Sequence, residues 1–135
     1  MKLVIDASFI ASLLLTDEAA EESAAQLEQI KEGGAVAPTL WQLEVANMLL
    51  TAQRRKRIDA SQFVRILEAV DSFPVTLQPA LTDKQRGDLL NLARKYELTA
   101  YDAAYLELAM RLDLPLATVD DRLWRAASAE GAKTL

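Results

Sequence analysis

Carboxylates from four segments draw attention by where they lie in the chain. Asp6 directly follows the apolar triplet Leu3-Val4-Ile5, and Asp120-Asp121 follow the apolar run that ends in Leu116-Ala117-Thr118-Val119. Glu44 sits inside an apolar segment, and Asp102 inside LTAYDAAYLELA, residues 98–109. All but one have an ordinary structural explanation. Asp6 can cap a helix that begins near Ser8, although Ser8 is an equal claimant. Thr99 and Asp102 have capping-box spacing, yet Asp102 shares a helix face with Tyr105, Leu106 and Ala109, the side expected to pack inward. After residue 119 one helix cap is needed and two acids are present, so one remains unexplained. Glu44, Asn47 and Thr51 form a narrow polar stripe on a helix that is otherwise apolar nearly all round, and Arg54 extends it. That stripe is either the helix's wet face or a buried carboxylate steadied by Asn47, with Arg54 leading outward toward a bound anion. Were the four acids to converge, their mutual repulsion would raise their pKa values unless a divalent cation bound among them.

Composition narrows the chemistry further. The 135 residues contain no His and no Cys. Imidazole acid–base catalysis, thiolate nucleophiles and thiolate or imidazole zinc sites are therefore excluded. Oxygen-only ligands suit Mg²⁺ or Mn²⁺. An apolar fraction of 51% and this length predict one packed domain over residues 1–135. No run approaches the ~18 apolar residues of a membrane span, and Lys2 is followed by only three apolar residues before Asp6, which does not resemble a signal peptide. A cytoplasmic location without membrane association is the default expectation. The net charge of −5 disfavours a general nucleic-acid coat protein, but the charge is unevenly spread. Acids dominate residues 17–32, whereas Arg54, Arg55, Lys56 and Arg57 form one basic run.

The elements that must position these residues alternate between short strands and helices. Strands are expected at Lys2–Ile5, Ala35–Ala37, Phe73–Leu77 and Leu114–Thr118, with Ala132–Leu135 just long enough for another. Helices are expected from Ser8 to Leu15, from Thr16-Asp17-Glu18 to about Lys31, and from a Thr39/Gln42 capping box to about Lys56. Further helices should start at Asp59 or Ser61, at Thr82, at Thr99 and at Asp120. This order predicts an α/β layer fold around a mainly parallel sheet. In such sheets ligands bind beyond the carboxyl ends of the strands, where Asp6 and Asp120 fall.

Four segments in order, VIDAS (4–8), APTLWQLEVANML (37–49), LTAYDAAYLELA (98–109) and LATVDDRL (116–123), resemble the PIN-domain ribonucleases, and among them the VapC toxins of toxin–antitoxin pairs. The resemblance covers essentially the whole chain. It implies a PIN-like three-layer α/β/α sandwich and a Mg²⁺- or Mn²⁺-dependent endoribonuclease that inhibits growth or translation. The family's acidic positions fall on Asp6, Glu44, Asp102 and Asp120, with Ser8, Asn47 and Thr118 in support and Asp121 assisting or capping. It also implies a homodimer and a VapB-type antitoxin that wraps the toxin and blocks the site. Asp6, Asp102 and Asp120 are the expected metal ligands, and Glu44 either a ligand or the group orienting the attacking water. Such a hydrolysis leaves a 5′-phosphate and a 3′-hydroxyl.

The acidic site would itself repel RNA, a tRNA or rRNA stem-loop for example, so nearby cations must compensate. Arg54, Arg55, Lys56 and Arg57 lead, ahead of Lys84 and Arg86. Trp41 is expected in the core or a dimer interface rather than stacked on a base. Two other Mg²⁺-dependent classes fail on spacing. A receiver domain needs an acidic pair after the first strand, and a haloacid-dehalogenase phosphatase needs D-x-D where Asp6-Ala7-Ser8 stands. A non-catalytic binding module on the same scaffold is the remaining alternative, separable by its lack of metal-dependent turnover.

Overall fold

The computed structural model describes residues 2–15 and 20–135. Its elements follow in the order β1 (Leu3–Ile5), α1 (Ala7–Leu14), α2 (Ala20–Gly33), β2 (Ala35–Ala37), α3 (Leu40–Arg54), α4 (Ala60–Asp71), β3 (Val75–Leu77), α5 (Asp83–Tyr96), α6 (Ala100–Leu112), β4 (Leu116–Ala117) and α7 (Asp121–Ala129). The four strands form one parallel sheet in the order β3-β2-β1-β4. Its register sets Leu3 against Ala35, Val4 against Leu116 and Ile5 against Ala117.

This order explains the layering. From β1 to β2 to β3 the chain steps across the sheet in one direction, and from β3 it returns past both to reach β4. Right-handed crossovers then place the outgoing and returning helices on opposite faces. Accordingly α1 packs on α2 and α3, and α3 on α4, while α6 packs on α5, α7, β1 and β4. The result is a three-layer α/β/α sandwich. Leu3, Val4, Ile5, Leu116 and Ala117 are buried at its centre, which accounts for their uninterrupted apolar runs. The connections of β1 and β4 leave in opposite senses, so a crevice opens beyond their carboxyl ends.

Local signals are mostly read as expected. Thr82 caps α5 in a reciprocal box with Gln85, and Thr99 caps α6 through the Asp102 N–H. Asp59, rather than Ser61, caps α4, in a reciprocal box with Gln62. Gly34, at φ +78°, carries the chain out of α2 in the left-handed region that favours glycine. The Thr39/Gln42 box does not form. Thr39 is already helical at φ −58° and ψ −30°, and its side chain makes no cap bond, because a capping oxygen needs the extended conformation. The expected strand at 132–135 reduces to one parallel bridge between Leu116 and Thr134. The expected helix start at Thr16-Asp17-Glu18 lies outside the described residues. No helix of the described residues is long and apolar enough to cross a membrane.

Candidate active site

Asp6 ends β1 and caps α1, and it does so fully buried, at 4% exposure. Its Oδ1 accepts from the Phe9 N–H at 2.9 Å and from the Ser8 hydroxyl at 2.7 Å. Its Oδ2 accepts from the Thr118 hydroxyl, which β4 delivers from 112 residues away. Ser8 is thus a donor to the cap rather than the cap itself. Burial raises the Asp6 pKa most, and Asp102 adds to it, while the bonds from Thr118, Ser8 and Phe9 lower it.

Asp120 caps α7 by accepting from the Leu123 N–H at 2.9 Å, and its own N–H donates to Thr118 Oγ1 at 3.0 Å. Thr118 therefore bridges the two aspartates at the adjacent ends of β1 and β4. Asp102 lies in the first turn of α6, where burial and the Asp120 charge raise its pKa against the pull of Thr99 and Arg122. Glu44 reaches in from α3. Its pKa is raised by burial, and further by Asp102 and Asp6, and is held down by the Tyr105 hydroxyl, which donates to Oε1 at 2.5 Å.

Asp6, Ser8, Glu44, Asn47, Asp102, Tyr105 and Asp120 line one cavity of about 240 Å³. All four acids singled out from the sequence are thereby brought to one place from four segments. Like charges on one cavity wall, some of them desolvated, make the oxygen donor set fit a hard divalent cation. Among the described residues no three carboxylates close around a single point, so the donors stand along the cavity walls rather than as a finished cage.

Other expected residues divide. Asp121 does not line this cavity: it is exposed and pairs with Arg125 at 3.0 Å. The expected split, with one aspartate for the site and the other for the cap, is not what forms, because Asp120 does both. Arg55 and Arg57 border an adjoining cavity of about 320 Å³ that shares Ser8, Asn47 and Met48 with the first, whereas Arg54 and Lys56 line neither. On the polar stripe that Arg54 extends, Arg55 rather than Arg54 borders the adjoining cavity. Lys84 and Arg86 are engaged by Asp88 and Asp83 on α5. Trp41 is buried, and among the described residues its indole N–H has no hydrogen-bond partner.

Sequence reasoning passed over Tyr105 as a functional residue and treated it as packing. Its spacing of three from Asp102 on an inward face was the available signal. It is 1% exposed, and burial, followed by the Glu44 hydrogen bond, pushes its hydroxyl pKa far up, so it remains a donor. Glu107, buried on α6 and clasped by Arg111 at 2.8 Å and 3.2 Å, was also passed over.

The chain resembles known proteins in sequence and in fold. The PIN domain family model matches residues 3–129. Ribonuclease VapC3 of Pyrobaculum aerophilum is 34% identical over 123 residues, which are 91% of this chain and 92% of that protein. The crystal structure of PAE2754 from Pyrobaculum aerophilum superposes with a TM-score of 0.72 at 26% identity, covering 99% of this chain and 83% of the other. That of FitAcB from Neisseria gonorrhoeae shares the fold, with a TM-score of 0.63 at 16% identity over 100% and 96% of the two chains. A parallel sheet that sets carboxylates at the β1/β4 crevice, and a match along nearly the whole sequence, lead to one conclusion: the chain belongs to the PIN-domain family, among its VapC-type members.

Proposed function

We propose that this chain is a Mg²⁺- or Mn²⁺-dependent endoribonuclease, a single PIN domain acting as the toxin of a VapBC-type pair. The observation that carries the reading is the single cavity lined by Asp6, Glu44, Asp102 and Asp120. Kinship with a protein named a ribonuclease supports RNA as the substrate.

Asp6, Asp102 and Asp120 would hold the cation. Bound there, it would neutralise charge at the phosphoryl oxygens and lower the pKa of a water molecule. The chain's own residues do the positioning. Ser8 and Thr118 fix both oxygens of Asp6, so that it enters the cavity in one orientation. Thr118 ties that orientation to the backbone of Asp120. Tyr105 holds one oxygen of Glu44 and leaves the other without a hydrogen bond among the described residues, available to orient a water molecule. Burial limits competing water around Asp6 and strengthens each of these interactions.

An antitoxin of VapB type is the proposed partner, and Leu43 and Leu50, exposed on α3 at 76% and 40%, support a homodimer. The test is cleavage of end-labelled structured RNAs, tRNAs included, by the parent and by Asp6→Asn with Mg²⁺, Mn²⁺ or excess EDTA. Discrete metal-dependent cuts that vanish in the variant are expected. Identical cuts by both proteins would remove the assignment.

A further inference from the structure

The carboxylate cavity presents a problem that its own residues do not solve: an RNA strand must approach four acids. We propose that a groove leading away from the cavity, lined in turn by Arg55, Arg57 and Arg65, seats the RNA strand flanking the cleaved bond and holds its phosphates. The inference rests on the ribonuclease reading and extends it to residues outside the cavity.

Three cavities adjoin. The carboxylate cavity shares Ser8, Asn47 and Met48 with the cleft bordered by Arg55 and Arg57. That cleft shares Leu15 and Arg57 with a third, of about 300 Å³, which also holds Arg65 of α4. Among the described residues no carboxylate lines the second or third cavity. All three arginines are exposed, and among the described residues none has an acidic partner. This differs from the larger cavity of about 530 Å³ at α5 and α6, where Lys84, Lys95 and Arg111 are each paired with Asp88, Glu130 and Glu107. Cations engaged with their own carboxylates have less to offer an anion.

The turn after α3 sorts the basic run. Lys56 takes φ +58°, its N–H donates to Gln53 O at 3.0 Å, and the Arg57 N–H donates to Ala52 O at 2.9 Å. This closing pair of bonds ends the helix with a left-handed residue between Arg55 and Arg57. Both flanking arginines border the cleft, and Arg54 and Lys56 do not. Separate guanidinium groups along one groove suit the repeating phosphates of a nucleic acid, which they bind in a bidentate manner. Continuity with the carboxylates favours the strand being cleaved over an acidic protein.

The test is fluorescence anisotropy of a labelled single-stranded RNA with Asp6→Asn protein over a range of salt, alone and combined with Arg55→Ala, Arg57→Ala and Arg65→Ala. Arg94→Ala, on α5 and remote from the groove, is the control. Each groove substitution should weaken binding about 3–10-fold and lower the salt slope by about 0.7, the value for one phosphate contact on a single strand. In the active protein the same substitutions should raise KM and largely spare kcat. Melting curves should match the parent, since all three side chains are exposed. Loss no greater than in Arg94→Ala overturns the groove, as does an absence of RNA binding by the parent. Displacement of RNA by poly-glutamate at equal charge would overturn the RNA assignment in favour of an acidic protein partner. Binding with these slopes but no cleavage would leave the groove standing and remove the nuclease reading instead.

Discussion

The hydroxyl of Tyr105 donates to Glu44 Oε1 across 61 residues of sequence, and so joins α6 to α3 at the wall of the carboxylate cavity. A tyrosine buried to 1% exposure cannot turn that hydroxyl to solvent, so Glu44 has a fixed partner. Tyr105→Phe keeps the ring packing and removes only this bond. Turnover should fall about 10–100-fold, the usual cost of losing an outer hydrogen bond to a site residue. Stability should fall by about 1 kcal/mol. Single-turnover kinetics and a urea melt measure the two separately, and unchanged turnover would detach Tyr105 from the site.

Asp6, Glu44 and Asp102 all have folded-state pKa values above their ordinary ones, with burial as the first cause. The folded state therefore holds protons more tightly than the unfolded chain. Stability should be greatest below the unfolded values of 3.8 and 4.5 and should decline as pH rises through the raised folded values. Asp6→Asn preserves a capping side chain and removes one charge. Without metal at pH 7 it should melt at a higher temperature than the parent, with a shallower loss as pH rises above the unfolded value. A lower melting temperature would show that hydrogen bonding of the charged form outweighs its burial.

Added Mg²⁺ or Mn²⁺ should reverse that order. A cation bound only by the folded state stabilises it by about 2.7 kcal/mol at one hundred times its dissociation constant. The parent should gain and Asp6→Asn should not. Calorimetric titration with each cation gives the affinity directly, and equal gains in both proteins would place the binding elsewhere.

Asp120 and Asp121 are neighbours with different surroundings. Asp120→Asn should cost at least about 100-fold in turnover, more than a supporting residue does. Asp121→Asn loses only an exposed ion pair with Arg125, for which about 0.5 kcal/mol of stability and less than a twofold change in turnover are expected. Parallel rate measurements on the two variants decide between them.

Lys56 occupies the left-handed region without the freedom of glycine. Lys56→Gly should relieve about 1–2 kcal/mol of backbone strain and return part of it through unfolded-state entropy, for a net gain of about 0.5–1 kcal/mol. Its RNA affinity should stay near that of the parent. Thermal denaturation with the anisotropy assay checks both.

The sequence by itself determined the strand cores, the helix order and the candidate acids. Short apolar runs such as Leu3-Val4-Ile5 can be buried on both faces only within a covered parallel sheet, and an aspartate directly after such a run must emerge at its carboxyl end. The absence of His and Cys likewise fixed the donor chemistry from residue types alone. Tertiary structure decided which side chains meet. Thr118 touches Asp6, and Tyr105 touches Glu44, only because β1 pairs with β4 and α3 and α6 both reach the same cavity wall. No local pattern encodes contacts 112 and 61 residues apart. The basic run shows the same limit. Its composition is plain in the sequence, but the left-handed turn at Lys56 decides which of its cations border the groove.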